Sequence, residues 1–473
     1  MNIQYKVRTA FIIYTAWTLA GCSKQLDLRP TDSIDPEKAF KTITDVNQGV
    51  LGAYDPLSYN NIYYNSLVTD EVMLPSENFT GSGFATYRWQ YDGSNTFESW
   101  DENYLAIDRA NRVLAIIDEI PAKPGEEELR TQYKGELLAL RAYCHFELIR
   151  FFASGYEPNS LGVPYMEKSE IGMPPRLSFA ETMAKVDADL VAAKELIPAS
   201  FDDKTRITRT AIAAMQARAA LYEKSWDNAI TYATEAINAE PLASETAFKD
   251  IWSDKTNDEV IWKLKMVSGD EHVGSTYNDE GFLTDPSATR LLYAASYELV
   301  HAFDQENDIR FSSYIHIDPE REAADKTPNI VTKWVGGDPD LSNIADIKLF
   351  RTGELYLIRA EAEAQKDDLG NAVADLNALR AARITDYTDQ SFGDKQEIID
   401  AITIERFKEL AFEGHRMFDL RRYNLPVTRE PDDAVNALGN VLLTPEDPEY
   451  EFPIPDAELR ANKNIEQNPK YTH

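Results

Sequence analysis

The stretch Ala217-Arg218-Ala219-Ala220-Leu221-Tyr222-Glu223-Lys224-Ser225-Trp226-Asp227-Asn228-Ala229-Ile230-Thr231-Tyr232-Ala233-Thr234-Glu235-Ala236-Ile237-Asn238-Ala239-Glu240-Pro241 decides the architecture. It reads as the end of one helix, a short turn and a second helix that Pro241 stops, because proline cannot continue the backbone hydrogen-bond ladder. Ala217, Ala229 and Ala236 stand where two tightly packed helices need small side chains. Ala360 and Ala372 repeat the spacing of Ala217 and Ala229, with Leu379 where Ala236 would fall. Alanine-rich antiparallel helices can match in this way by chance, but the recurrence and the short turns together favour degenerate repeats.

Working outward, apolar residues at helical period mark segments 99–119, 126–153, 178–197, 208–223, 226–239, 353–366, 369–383 and 395–412. The expected fold is mainly α, a tetratricopeptide-like helical-repeat scaffold. A further helix-start signal, Thr31-Asp32-Ser33-Ile34-Asp35-Pro36-Glu37, precedes a period that runs through Val46, Val50, Leu51 and Tyr54. Two stretches interrupt the scaffold. Residues 58–99 are dominated by Asn, Ser, Gly and aromatics and predict a long loop region with short strands. Residues 242–350 carry Trp252, Trp262, Tyr277, Phe282, Tyr293 and Trp334 among Gly, Asn, Asp and Pro. Within them the run Val260-Ile261-Trp262-Lys263-Leu264-Lys265 alternates as a strand does.

The first residues differ from the rest. Lys6 and Arg8 precede the apolar run from Ala10 to Ala20, which is too short to span a bilayer and has the charge order of an export signal. It ends in Leu19-Ala20-Gly21-Cys22, a bacterial lipobox, so residues 1–21 are expected to be a signal peptide and Cys22 the lipidated first residue of the mature chain. The remainder, 22–473, is expected to be a single domain, because helical repeats grow as one continuous body. Removing the leader takes away two positive charges and no negative ones, changing the net charge from −32 to −34. Such a surface repels nucleic-acid phosphates and anionic headgroups, which excludes nucleic acid as a partner. Cys144, the other cysteine, lies in an apolar-periodic stretch and reads as a small buried hydrophobe. With Cys22 committed to lipid no disulfide framework is expected, and acyl chains alone would hold the protein to a membrane.

Three segments resemble the SusD/RagB family of outer-membrane lipoproteins of Bacteroidetes. Cys22-Ser23-Lys24-Gln25-Leu26-Asp27-Leu28-Arg29-Pro30, with Ala39-Phe40 and Gly52-Ala53-Tyr54, resembles the family's mature start. Ala110-Asn111-Arg112-Val113 and Glu136-Leu137-Leu138-Ala139-Leu140-Arg141-Ala142-Tyr143 resemble two of its helices. The most specific is the C-terminal signature, 405–473. It opens Glu405-Arg406-Phe407-Lys408-Glu409-Leu410-Ala411-Phe412-Glu413-Gly414-His415-Arg416-Met417-Phe418-Asp419-Leu420-Arg421-Arg422 and continues in Phe452-Pro453-Ile454-Pro455 and Asn462-Lys463-Asn464-Ile465-Glu466-Gln467-Asn468-Pro469. The resemblance implies a SusD-like fold, a palmitate-type lipid anchor in the outer membrane with the body facing outward, and no enzymatic activity. It further implies capture of oligosaccharide, in some members peptide, for a SusC-like TonB-dependent transporter.

Sugar rings offer apolar C–H faces and hydroxyl rims, so a binder needs aromatic platforms beside hydrogen-bonding side chains. The densest such cluster is Phe84-Ala85-Thr86-Tyr87-Arg88-Trp89-Gln90-Tyr91-Asp92-Gly93-Ser94-Asn95, where a strand would place Tyr87, Trp89 and Tyr91 on one face. Tyr87, Arg88, Trp89, Tyr91 and Asn95, then Tyr277, Asn278 and Trp334 of the second interruption, are the candidate ligand-binding residues. The plainer reading is that these rings pack the interruptions onto the helices. Trp252 and Trp262 sit in apolar contexts and are expected in the core.

Glu405, Glu409 and Glu413 are each four residues apart, and with His415 they invite a catalytic reading. No second histidine stands at metal-ligand spacing and no nucleophile motif accompanies them, so salt bridges such as Glu413 with Arg416 are expected. Asp338-Pro339-Asp340-Leu341-Ser342-Asn343 and Asn278-Asp279-Glu280 could offer oxygen ligands to calcium but match no twelve-residue calcium loop; no cofactor or metal is expected. The alternatives to a glycan-capture module are a peptide-binding or protein-interaction scaffold and a surface glycoside hydrolase, which would need two carboxylates at fixed separation.

Overall fold

Buried alanines and one glycine set the spacing of the helices. In the computed structural model, which describes residues 40–471 apart from 96, 271, 280, 281 and 286–288, Ala217, Ala229, Ala236, Ala360, Ala372 and Leu379 are all fully buried. The leader, Cys22 and the helix-start signal at 31–37 lie outside the described residues. The principal helices are α1 (Ile43–Tyr54), α2 (Asn60–Val68), α3 (Glu98–Leu114), α4 (Glu127–Phe152), α5 (Phe179–Leu196) and α6 (Arg209–Tyr222). They continue as α7 (Trp226–Ala239), α8 (Thr352–Gln365), α9 (Leu369–Ala381), α10 (Lys395–Glu409) and α11 (Arg416–Tyr423). Consecutive helices pack side by side, α3 on α4, α4 on α5, α6 on α7 and α8 on α9. A Cβ at Gly135 of α4 would lie 2.8 Å from Ile197 Cγ1 and 2.9 Å from the Ala193 carbonyl, so α4 approaches α5 at that glycine. Helix α7 packs directly on α8 although residues 240–351 separate them, so the second interruption leaves the stack continuous.

The strands are short and pair in antiparallel twos. β1 (Val72–Met73) pairs with β3 (Ala294–Ala295) and ties the two interruptions together. β2 (Val260–Leu264), the alternating run foreseen in the sequence, pairs with β6 (Ile347–Arg351). β4 (Ile315–Ile317) pairs with β5 (Asn329–Val331), and β7 (Val427–Thr428) with β8 (Leu442–Leu443). Most of the helices share one hydrophobic core, α8, α9 and α10 add a smaller one between them, and the interruptions build another around Tyr87, Trp252, Tyr277, Tyr314 and Trp334.

The first interruption is more helical than expected. Asn60–Val68 forms α2 although Asn, Ser, Tyr and Val are modest helix formers. The helix is buried nearly all round, which removes the one-sided period a sequence reader looks for. Long-range bonds hold it: Asn60 Nδ2 donates to Glu102 at 2.8 Å, and the Met417 N–H donates to Asn65 Oδ1 at 3.0 Å. The segment 84–91, expected as a strand, instead makes a short helix, Phe84–Tyr87, behind Gly83 in the left-handed region at φ 71°.

The three glutamates of the C-terminal signature face inward and meet a group of cations. Arg351 uses all its donors: Nη1 on Glu259 (2.8 Å) and Glu409 (2.6 Å), Nε and Nη2 on Glu413 (both 2.7 Å), and Nη2 also on the Glu409 carbonyl (2.6 Å). Arg383 bonds Glu259 and Glu409, Arg310 bonds Asp308, Glu405 and Glu409, and Lys333 lies 2.6 Å from Glu413. The expected Glu413–Arg416 pair does not form: Arg416 is taken by Asp70 at 2.6 Å. Burial alone would raise the Glu405 carboxyl, but Arg310, Lys408 and Arg380 outweigh it and hold it at about 2. Glu409 is lowered further by Arg383, Arg351 and Arg310. Carboxylates so fully engaged by arginine are poor proton donors, and their service here is structural.

Because the folded Glu405 titrates near 2 and an unfolded glutamate near 4.5, its stabilisation is complete above pH 4.5 and is lost as pH falls toward 2. The shift corresponds to about 3 kcal/mol. Glu405→Gln is expected to cost about 3–5 kcal/mol at pH 7, since it leaves Arg310 partly unpaired in the core. Urea unfolding at pH 7 and pH 3 should show the gap between variant and native protein narrowing in acid. A gap independent of pH would show that the charge of Glu405 is not what stabilises this region.

Candidate functional site

The sequence singled out eight ligand-binding residues, and the structure takes most of them into the core. Tyr87 is fully buried, its hydroxyl donating to the Asp433 carbonyl at 2.9 Å and its ring 4.0 Å from the Arg429 guanidinium. Trp89 donates its indole N–H to the Val68 carbonyl at 2.9 Å, and Tyr91 stacks on Phe452 with its hydroxyl on the Glu449 carbonyl. Tyr277 sits edge-on to Phe412 with its hydroxyl 3.0 Å from Ser66 Oγ. Trp334 is edge-on to Trp252 and bonds the Phe412 carbonyl at 3.0 Å. Asn278 is buried and donates to the Val331 carbonyl at 3.1 Å. Arg88 is half-buried between the Phe84 ring and the Asn436 carbonyl, and Asn95 closes a turn by accepting from the Asp92 N–H at 3.0 Å.

None of the nominated rings is therefore an open platform. The alternation argument fails because the chain turns through the short helix and then through Trp89 at φ 50°, so Tyr87, Trp89 and Tyr91 do not line a strand face. Their polar neighbours are turn formers, not a solvent-facing binding rim. Trp252 and Trp262 are buried, as their apolar contexts implied. Of the suggested calcium loops, Asp338 caps its own turn through the Asp340 N–H, and buried Asn343 donates to the Asn278 carbonyl. Glu280 lies outside the described residues. Among the described residues no group of three or more His, Cys, Asp or Glu side chains is placed to hold a metal ion.

Among the described residues one phenylalanine, tyrosine or tryptophan ring stands open to solvent, Phe79, with 77% of its surface exposed. It occupies the tip of the loop from β1 to the short helix, and both interruptions fix that loop. Asn78 Nδ2 donates to the Leu292 carbonyl at 2.7 Å, while its Oδ1 accepts from the Thr80 N–H (3.1 Å) and hydroxyl (2.8 Å). Glu77 accepts from the Leu291 N–H and is paired with buried Arg321, which also donates to the Thr289 carbonyl at 2.6 Å. Beneath the tip, Asn278 bridges Leu291 and the Asp279 N–H donates to the Arg290 carbonyl. That short ladder presents Arg290, whose guanidinium lies 4.8 Å from the centre of the Phe79 ring and 3.3 Å from Asp279.

The arrangement offers a braced ring beside a half-exposed arginine and a half-exposed carboxylate. A ring so held can stack on an apolar face, and the Arg290–Asp279 pair can both donate to and accept from hydroxyls at its edge. Phe282, half-buried on the same interruption, lies edge-on to exposed His316 at 5.7 Å. The signal that could have found Phe79 is Asn78-Phe79-Thr80-Gly81. An aromatic between an Asx-turn residue and glycine is placed at a turn tip, where it has little to pack against.

Two family models match the chain: SusD family over residues 333–471, and a family described as starch-binding, associating with outer membrane, over residues 24–221. SusD-like protein P38 of Formosa agariphila is 25% identical, over 98% of this chain and 98% of its own. Among solved structures, a SusD superfamily protein from Bacteroides thetaiotaomicron superposes with a TM-score of 0.78 at 23% identity, covering 90% of this chain and all of that one. A laminarin-binding SusD-like protein superposes with a TM-score of 0.70 at 20% identity, covering 91% of this chain and all of that one. The two structures share the fold.

The two kinds of ring separate by stability. Trp89→Ala is expected to cost about 3–5 kcal/mol, as removal of a buried tryptophan does, whereas Phe79→Ala should stay within about 0.5 kcal/mol of the native protein. Chemical denaturation of both variants checks this, and a large loss in Phe79→Ala would mean that its ring is packed and not open.

Proposed function

Because the chain belongs to the SusD family, we propose that it is a carbohydrate-binding protein that captures oligosaccharide and passes it to a TonB-dependent transporter in the outer membrane. The observation that carries the reading is the Phe79 ring, open to solvent and braced by Arg290. The two described relatives point the same way: one matching family is described as starch-binding and one structural neighbour as laminarin-binding. In this reading residues 1–21 are removed, Cys22 is acylated, and residues 22–473 form one body carried at the cell surface. No described helix is long and apolar enough to cross a membrane, and the acyl chains on Cys22 supply the attachment.

The capture step follows from simple physics. The sugar's C–H face covers the free side of the Phe79 ring, and its hydroxyls replace water on Arg290 and Asp279. Each contact is modest and lies at the surface, so binding is reversible and release to a transporter needs no large conformational change. The open geometry also suits a chain binding along its length more than an end group enclosed in a pocket.

Isothermal titration with laminarihexaose and maltohexaose tests the proposal. At least one should bind saturably and be recovered intact, and Phe79→Ala should weaken that binding about tenfold, the equivalent of one lost stacking contact. Unchanged affinity in Phe79→Ala would move the site elsewhere, and shortened sugars would replace capture with hydrolysis.

A further inference from the structure

Away from Phe79, the turn after α1, the middle of α3, the loop at 203–206 and the end of β2 enclose a cleft of about 710 Å³. Behind it lies a chamber of about 30 Å³. Ser58, Glu102 and Leu264 line both, so the chamber adjoins the floor of the cleft. Thirty cubic ångströms is room for one small polar group.

The chamber carries an unmet demand. Ser99 lines it, is 3% exposed, and its hydroxyl has no hydrogen-bond partner. A buried hydroxyl left unpaired is costly, and a native structure rarely accepts one without a use. Ser99 and Glu102 are three residues apart on α3 and so project from the same side of the helix. The Glu102 carboxylate is held by the Ser58 hydroxyl at 2.6 Å and Asn60 Nδ2 at 2.8 Å.

The cleft in front has a consistent character. Its carboxylates are Asp55, Glu102, Asp203 and Asp270, and its cations are Arg206 and Lys265. Arg206 is held by Glu136 at 2.7 and 3.0 Å, and Lys265 lies 3.4 Å from Asp346; neither of those acids lines the cleft. The wall therefore accepts hydrogen bonds readily and opposes an incoming anion. Half-buried Tyr54 and Tyr59 supply apolar surface beside it.

We infer that this cleft is a second carbohydrate subsite, which takes a neutral hexose with its hydroxymethyl arm in the chamber. A primary hydroxyl there accepts from Ser99 Oγ, meeting its unpaired donor, and donates to the Glu102 carboxylate. A pentose has no arm to fill the chamber, and a uronate would carry a carboxylate against Glu102. The inference rests on the reading of the protein as a glycan binder but uses none of the residues of the Phe79 surface.

The test uses the whole protein carrying Phe79→Ala and three probes: methyl glucoside, methyl galactoside and methyl xyloside. Ligand-observed saturation-transfer spectra should show at least one hexoside bound with its strongest saturation at the C6 protons. The xyloside should bind at least fivefold more weakly. Ser99→Ala and Glu102→Gln, small changes in a folded helix, should each weaken that hexoside at least fivefold, and methyl glucuronide should not compete. Equal binding of hexosides and xyloside, or saturation spread evenly over the ring, would overturn the hydroxymethyl assignment. Silence of both hexosides would overturn the subsite while hexasaccharide binding at Phe79 in the native protein stood. Loss of hexasaccharide binding as well would remove the reading on which it rests.

Discussion

Five carboxylates and their cations, buried together around Arg351 and Glu409, hold the rest of this structure in register. The partners come from three separate parts of the chain: Glu259 and Arg310 from the second interruption, Arg383 from just past α9, and Glu405 and Glu409 from α10. A buried ion pair adds little net stability over well-packed apolar residues, because desolvation consumes most of the attraction. Its force lies in what it forbids. A misplaced loop would strand a bare charge in the core at a cost of several kcal/mol, so only one seating of the second interruption on the helices is tolerable.

From that junction the open ring is reached in a few steps. After α10 the chain enters the left-handed region at Phe412 (φ 63°), an unfavourable conformation for a bulky residue, and Gly414 follows at φ 79°. Both interruptions clamp the turn. Glu71 accepts the Phe412 N–H at 2.9 Å, Trp334 donates to its carbonyl at 3.0 Å, and Lys333 donates to the Ala411 carbonyl at 2.7 Å. Glu71 adjoins β1, whose pairing with β3 aligns the loop that carries Phe79 with the ladder that carries Arg290. The strain at Phe412 is thus held by bonds that also bring the two interruptions together, and the ring at the surface inherits its position from charges buried far beneath it.

What could be read in the sequence was whatever is local. The helices were legible because a 3.6-residue period and alanines at crossing points are written within each segment, and β2 because its alternation is. Helix α2 was not, since a segment buried on nearly every side has no amphipathic face to betray it. The spacing of Glu405, Glu409 and Glu413 on one face was visible, but their partners, drawn from Arg310, Arg351 and Arg383, are set by tertiary contact alone. The site was hardest. Tyr87, Trp89 and Tyr91 drew attention by density, yet density of rings is also what packing requires: Tyr87 joins the core of the interruptions, and Trp89 and Tyr91 join the core of the helices. Phe79 stands out only by isolation from other rings at a turn tip, a weaker mark than clustering but the physically relevant one, because a ring with one face unpacked is the ring left for a ligand.

The acidity of the chain bears on both recognition surfaces in the same sense. A net charge of −32 disfavours polyanions at long range, while a neutral polyol is indifferent to it. At contact the carboxylates turn from a barrier into an asset, because hydroxyl groups are donors and a carboxylate is a strong acceptor that shifts no proton in accepting. The Phe79 surface places one such acceptor, Asp279, beside an arginine that fixes its orientation. The cleft places Glu102 where Ser58 and Asn60 fix its own. In each place the acid is oriented before any ligand arrives, so binding spends little entropy on ordering the protein, and weak contacts suffice for capture while remaining weak enough for release.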